Sequence, residues 1–469
     1  MIDRWLLARL RGHDDLVQVA AAGVGLALFL RSQTIGPPLV GLGLAGAGLT
    51  LVLICAAIQP RAGLFWVVAA APFFLFPRDL GGQSLTLHEA ALLMTALAVG
   101  LRALNGRYRV VYVRRLGETP PPSPLPVFDL PIILFLTAAL LSLLATEYLR
   151  LSLRELRTTI LEPVLFWYLC RVVVRGPKDA LWLVGGLVAS ASMVAVVGLG
   201  QLAFGGAVTD VQGVRRVLGT YSSPNHFALL LGRALPFLVA LTWCVRRWRV
   251  WAGVGATLCA GALLATFSVG GWLASGLALL VVVGLLGGRR LLLALVVAGV
   301  IAGAVLLFAV PVERLAGRLD PRQGTSFVRV QLWQAAGELV RESPILGIGL
   351  DNFLYRYPLV MPPDTPYEPN LSHPHNLILQ FWLQLGLAGL AACGWLLWRF
   401  WQLIWPWARD GTAGPVPRAL AVGALASMID FVAHGLVDNS YFLPDMAIVF
   451  WLTLAVAASL SQSRHEGVR

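Results

Sequence analysis

Of 469 residues, 58% are hydrophobic and 13% are charged, about half the charge that a soluble domain carries. So little charge cannot coat a water-facing body of this size, whereas a surface facing lipid needs none. A formal net charge of +12 could point to nucleic acid, but its placement along the chain speaks against that partner.

Apolar runs lie near 16–30, 39–58, 62–76, 86–104, 127–145, 159–174, 180–204, 226–245, 250–267, 270–287, 291–311, 376–405, 418–436 and 446–461. A span needs about 20 residues, within a range of about 17–25. The runs 62–76 and 159–174 are shorter, so one or both are expected to be re-entrant. The expected fold is all-α, a polytopic membrane protein of about 12–14 transmembrane helices with one long outer loop containing short helices. The first run lacks a small-residue cleavage site and precedes further spans, so it reads as an anchor. Sixteen Trp suit two interfacial belts. The five cysteines, all in apolar runs, form no CxxC or Cys/His cluster, which suggests neither a disulfide framework nor a zinc site.

Lys and Arg set the orientation. With Arg4, Arg9 and Arg11 inside, the alternate loops 102–115, 171–178, 246–249, 289–290 and 399–418 also fall inside, as do Arg464 and Arg469. The basic balance is therefore a topology signal, and no nucleic-acid partner is expected. Residues 1–311 read as N-terminal transmembrane helices, 312–374 as the large outer loop, and 375–469 as C-terminal helices and tail. ETPPPSPLP, 118–126, reads as a stiff linker, and 147–157 as an interfacial amphipathic helix.

Two outer segments, 205–225 and 312–374, carry cations that the orientation rule does not explain: Arg215, Arg216, Arg314, Arg318, Arg322, Arg329, Arg341 and Arg356. Ser326 can cap a helix over 326–342, which would place Arg329 in the first turn, where the helix dipole calls for an anion. An Arg there becomes sensible if it and the free N–H groups grip one phosphate together. In SHPHNLILQFW, Pro374 fits the first helical position, with His375 and Asn376 in the first turn. The dipole disfavours imidazolium there, so the expectation is a neutral ring able to act as a general base. His373 and His375 as a metal pair would lack a nearby carboxylate in sequence, a weak ligand set. A third helix start, Ser223–Pro224, places Asn225 and His226 in the first turn, with Arg233 two turns deeper as a candidate by its depth alone or as a buried partner for Glu162 or Asp430. Asp430, His434 and Asp438 at i, i+4, i+8 read as a stripe of interhelical glue. Three helix N-termini with Arg and His beside them suit an anionic head group such as a lipid-linked pyrophosphate.

RRVLGTYSSPNHFALLL (215–231), SFVRVQLWQAAGELVRESPILGIGLDNF (326–353) and HPHNLILQFWLQLGLAGL (373–390) together resemble the O-antigen ligase and O-antigen polymerase superfamily. The resemblance implies a metal-independent, inverting glycosyltransferase of a bacterial inner membrane, with its active site facing the periplasm and no cofactor. It would move a glycan from undecaprenyl pyrophosphate to a hydroxyl on a lipid or glycan acceptor. It implies that His375 is catalytic and that Arg329 and Arg216, or its neighbour Arg215, hold the leaving group; the helix starts themselves point to Asn225, His226, Arg233 and Asn376, with Arg215, as substrate contacts. One departure is TFSVGGWLA, with Val269 after Ser268 where many members have Ser-Arg-Gly. The rival readings are a transporter or flippase, which would show inverted repeats and broken helices, and a metal-dependent oligosaccharyltransferase, which needs an outer carboxylate pair.

Overall fold

The computed structural model describes residues 2–32, 34, 38–80, 83–104, 126–206, 208–211, 214–297, 324–361 and 371–467. All of the linker 118–126 except its last residue, and the cations Arg314, Arg318 and Arg322, lie outside these residues.

The described residues are all-α apart from two short hairpins. Its first group is α1 (Ile2–Arg31), α2 (Pro38–Ile58), α3 (Pro60–Ala70) and, after the hairpin β1 (Arg78–Leu80) and β2 (Gln83–Leu85), α4 (Leu87–Leu104). Next come α5 (Pro126–Ser142), α6 (Leu149–Glu155), a π-helical turn at Leu156–Leu161, α7 (Glu162–Val173) and α8 (Pro177–Phe204). A second hairpin, β3 (Val208–Val211) and β4 (Val214–Val217), precedes α9 (Pro224–Cys244), α10 (Arg249–Ala265) and α11 (Val269–Leu286). The rest is α12 (Gly324–Glu342), α13 (Phe353–Val360), α14 (Leu377–Arg409), α15 (Pro415–Gly435) and α16 (Pro444–Gly467). Among the described residues, ten helices are long and apolar enough to cross a membrane. The short runs noted above form α3 and α7, of 11 and 12 residues, below the length of a span.

Three helices make the centre. Of its apolar window, α16 buries 89% and α9 78%, as expected of helices with no polar stripe. Both pack on α15. Close approach depends on Gly232, where a Cβ would lie 2.5 Å from the Asp430 carboxylate of α15. That carboxylate accepts a hydrogen bond from Ser275 of α11 and lies 3.8 Å from the Arg233 guanidinium.

The segment between α12 and α13 does not stay at the surface. Helix α14 breaks at Gly386 (φ 66°, ψ −170°), and the 344–349 loop fills the break. Ile348 N–H donates to Leu383 O (2.7 Å), Leu387 N–H to Ile345 O (3.2 Å), and Trp382 Nε1–H to Pro344 O (2.8 Å). The loop therefore satisfies backbone groups that a broken helix would leave orphaned in a lipid-facing bundle. The apolar pattern of 376–405 gave no sign of a break. Beyond the loop, the fully buried Asn352 donates to Thr146 Oγ1, Ser152 Oγ and Leu350 O and accepts from the amides of Glu147 and Tyr148. The PILGIGLDNF motif thus clamps α12 to both α14 and the loop before α6.

Gly386→Ala should be severely destabilising, because the new Cβ would sit 1.9 Å from Ile345 O at a positive φ. This combination of φ and ψ is essentially confined to glycine and costs a residue with a Cβ about 1–3 kcal/mol, and the clash adds to it. Gly394→Ala, in the same helix with nothing within 4 Å, should leave the unfolding midpoint in detergent unchanged or slightly raised. Equal midpoints for the two variants would show that the wedge is not held as described.

Candidate functional site

The site forms where the starts of α9, α11 and α14 converge, and each start is capped by its own sequence. Ser223 Oγ accepts from Asn225 N–H and Ser268 Oγ from Gly271 N–H. Asn376 Oδ1 accepts from the amides of Ile378 and Leu379. These are the side chains expected at N-caps. Two sequence expectations change. Helix α14 begins at Leu377, so Asn376 is its cap and His375 lies outside it. Helix α12 already runs at Gly324, so Ser326 lies within the helix and Arg329 sits in its second turn, not its first. The third convergent start is Ser268–Val269 instead.

His375 is held by a carboxylate that the sequence reading assigned elsewhere. Helix α15 ends at Gly435, so Asp438 is not a third rung on its face but lies in the turn that follows. Its Oδ1 accepts from His375 Nδ1 at 2.9 Å and from Asn439 N–H at 2.8 Å. A carboxylate can only accept, so Nδ1 carries a proton, and the tautomer this selects for the neutral ring is the one with a free Nε2 lone pair. The turn is rigid. Asn439 both donates to and accepts from the Phe442 backbone, and Asn376 Nδ2 donates to Leu436 O, which ties the two segments together. His375 adopts φ 50°, a conformation uncommon outside glycine and found preferentially at functional sites.

The predicted cations separate into three roles. Strand β4 alternates, so Arg215 is exposed while Arg216 turns inward. Arg216 Nε–H donates to Thr266 O (2.7 Å), and its Nη2 donates to Asn225 Oδ1 (2.9 Å). Burial and the nearby Arg329 guanidinium lower the Arg216 pKa, against the pull of Asp438. Half-buried Arg329 has no hydrogen bond or ion pair among the described residues. Arg233 is different. It is 2% exposed and donates to Ser427 O, Ser440 O and Ser440 Oγ, with Phe431 under its face. All of these partners are internal, so Arg233 braces the turn that carries Asp438. Asn225 and Asn376 likewise spend their side chains on Arg216 and on capping.

Two further imidazoles complete the cluster. The His373 ring centre lies 4.4 Å from that of His375 and 5.8 Å from that of His226. Burial, helped by His375, pushes the His373 pKa down to about 4 against the attraction of Asp438. Burial alone would raise the Asp438 carboxyl, but His375, His373 and His226 outweigh it and hold it well below the carboxylate range. His226, His373 and Asp438 place ligand-type atoms within 4.8 Å of one another, a donor set that could take a cation. Two guanidiniums beside a single carboxylate, itself already bonded to His375, instead favour an anion.

The arrangement thus offers an imidazole oriented by a carboxylate together with the guanidiniums of Arg216 and Arg329. Residues 254–394 match the family model described as O-antigen ligase. This match supports the O-antigen ligase/polymerase superfamily and spans Arg329 and His375, with Arg216, His226 and Asp438 outside it. No curated protein matches the chain.

The depressed His373 pKa makes stability pH-dependent. In the folded protein the ring stays neutral down to about 4, whereas in the unfolded chain it takes a proton near 6.5. Its contribution is present above 6.5 and is lost as pH falls toward 4, by about 3 kcal/mol. Unfolding midpoints in detergent from pH 7 to 4 should fall more steeply for the wild type than for His373→Leu. Parallel curves would mean that the ring is solvated.

Proposed function

We propose that this member of the O-antigen ligase/polymerase superfamily transfers a glycan from undecaprenyl pyrophosphate to an acceptor hydroxyl on the outer side of a bacterial inner membrane. The observation that carries the reading is the His375–Asp438 dyad at the meeting of three helix starts, with the inward-turned Arg216 held there by Thr266 and Asn225. The opposite ends of the spans carry Arg171, Arg246, Arg247, Arg249, Arg409 and Arg418, a distribution that supports an outer site by the positive-inside rule.

The chemistry follows from the side chains. The acceptor oxygen bonds to the anomeric carbon as the bond from that carbon to the pyrophosphate oxygen breaks. His375 Nε2 takes the hydroxyl proton, and Asp438 steadies the imidazolium that forms. The charge left on the pyrophosphate meets the guanidiniums of Arg216 and Arg329. Attack opposite the leaving group inverts the anomeric centre. These protein cations do the work that a divalent metal would otherwise do, so no metal is required.

The break in α14 favours a transporter at first sight, because such proteins build substrate sites from broken helices. Here, however, the freed backbone groups bond to Ile345 and Ile348, which favours an architectural role for the break.

His375→Ala should abolish transfer while donor binding stays near normal, because it removes the base and leaves the anion grip. Arg329→Lys should lose about 10- to 100-fold, since ammonium lacks the planar fork, and Arg329→Ala should lose nearly all activity. Arg341, 81% exposed and paired with Glu338 in the same helix, is the control, and Arg341→Ala should cost little. The measurement is the transfer rate at matched protein levels. Full activity in Arg329→Ala, or an equal deficit at Arg341, would return Arg329 to an ordinary surface charge.

A further inference from the structure

The dyad and the two guanidiniums leave one pair of buried atoms without a task. His373 is 7% exposed and Asp438 1%, yet His373 Nε2 and Asp438 Oδ2 are both buried and lack a hydrogen-bond partner among the described residues. Buried polar groups are paired in the great majority of cases, and an orphan calls for an explanation. The two side chains are neighbours: Nε2 stands 3.5 Å from Asp438 Oδ1 without completing a hydrogen bond. The other His373 nitrogen, Nδ1, meets Ser372 Oγ at 3.2 Å. A lone pair on Nε2 would face a carboxylate, acceptor against acceptor, so the favourable tautomer has Nε2–H, with the Ser372 hydroxyl donating to Nδ1.

The pair therefore presents one donor and one acceptor side by side. A phosphate or carboxylate oxygen would be repelled by Asp438. An ammonium or divalent cation would be repelled by Arg216 and Arg329 and has nothing with which to accept from Nε2–H. A hydroxyl accepts from one and donates to the other. The His375 ring is 4.4 Å from the His373 ring, so the two positions lie within the reach of one small polyol. The His226 ring centre lies 5.8 Å from that of His373.

Resting on the glycosyl-transfer reading above, we propose that His373 Nε2 and Asp438 Oδ2 bind a second hydroxyl of the acceptor, adjacent to the one that His375 deprotonates. The site thereby reads a pair of neighbouring hydroxyls, as on a sugar ring, in preference to a lone hydroxyl such as that of a serine side chain. His373 is a specificity residue in this scheme. An acceptor with one hydroxyl leaves the buried pair unmet, and sites built around a substrate hydroxyl reject analogues that lack it.

The test uses the full-length protein in detergent, a lipid-linked oligosaccharide donor, and three small alcohols as acceptors: ethane-1,2-diol, ethanol and 2-methoxyethanol. Donor cleavage and product formation are followed separately. The wild type should prefer the diol over ethanol by about tenfold or more in kcat/KM. Most of the difference should lie in KM, and 2-methoxyethanol should resemble ethanol because it can accept from Nε2–H but cannot donate to Asp438. His373→Leu should collapse the preference toward one. His373→Gln, which keeps an N–H donor, should restore part of it, a rescue that a purely structural role would not give. Donor cleavage with equal use of diol and ethanol, or a preference that survives His373→Leu, overturns this inference alone. Transfer that needs an added divalent cation would also overturn it and assign the imidazoles to a metal. Absence of donor cleavage with every acceptor would instead strike at the glycosyl-transfer reading.

Discussion

One buried carboxylate organises the working end of this molecule. Asp438 is 1% exposed, and a charge so placed is costly unless it is paired and hydrogen-bonded. The surroundings meet that cost with the His375 N–H, the Asn439 amide and the neighbouring imidazoles. Each of these groups is in turn fixed by the scaffold. Arg233 anchors Ser440, Asn439 closes the turn on Phe442, and Asn376 ties the start of α14 to Leu436. The result is a preorganised base. The positive φ of His375 is a local expense that this network covers.

The second constraint is mechanical. Arg329 lies on α12 and His375 just before α14, and the wedge of residues 344–349 in the break at Gly386 joins the two helices. Because the wedge satisfies backbone groups on both sides, neither helix can shift without losing hydrogen bonds in an environment poor in water. Asn352 extends the same clamp to residues 146–152. The cation and the base are therefore positioned by one rigid unit, as fixed-dipole stabilisation of a developing charge requires.

Much of the fold was legible in composition, because apolar runs of span length have few alternatives in lipid. The caps at Ser223 and Asn376 were also readable as residue types, although Asn376 proved to be the cap itself and not a residue of the first turn. Asp438 was misassigned because helical periodicity was carried past Gly435, where the helix stops; three ionisable residues at i, i+4, i+8 look alike on a continuous helix and on a helix followed by a turn. The cluster DNSYF inside an apolar stretch was the available signal, since ionisable groups at such depth are functional by default. Ser326 looked like a cap because nothing in local sequence showed the helix continuing to Gly324. The break at Gly386 was invisible because its cause lies about forty residues earlier, in a loop whose carbonyls occupy the space a side chain would need. The choice between Arg215 and Arg216 required the pleat of β4, which a sequence without an evident hairpin could not supply.

The central claim is that Asp438 fixes the His375 tautomer so that Nε2 is free to accept a proton. Single-turnover transfer by Asp438→Asn, measured alongside donor binding, tests it most directly. An amide at this position can donate to Nδ1 and move the proton to Nε2, which removes the base while preserving shape. Transfer should fall by about 10²-fold or more, with donor affinity little changed because Arg216 and Arg329 are intact. A variant that transfers at the wild-type rate, or one whose loss lies wholly in donor binding, would contradict the claim and make Asp438 a structural charge.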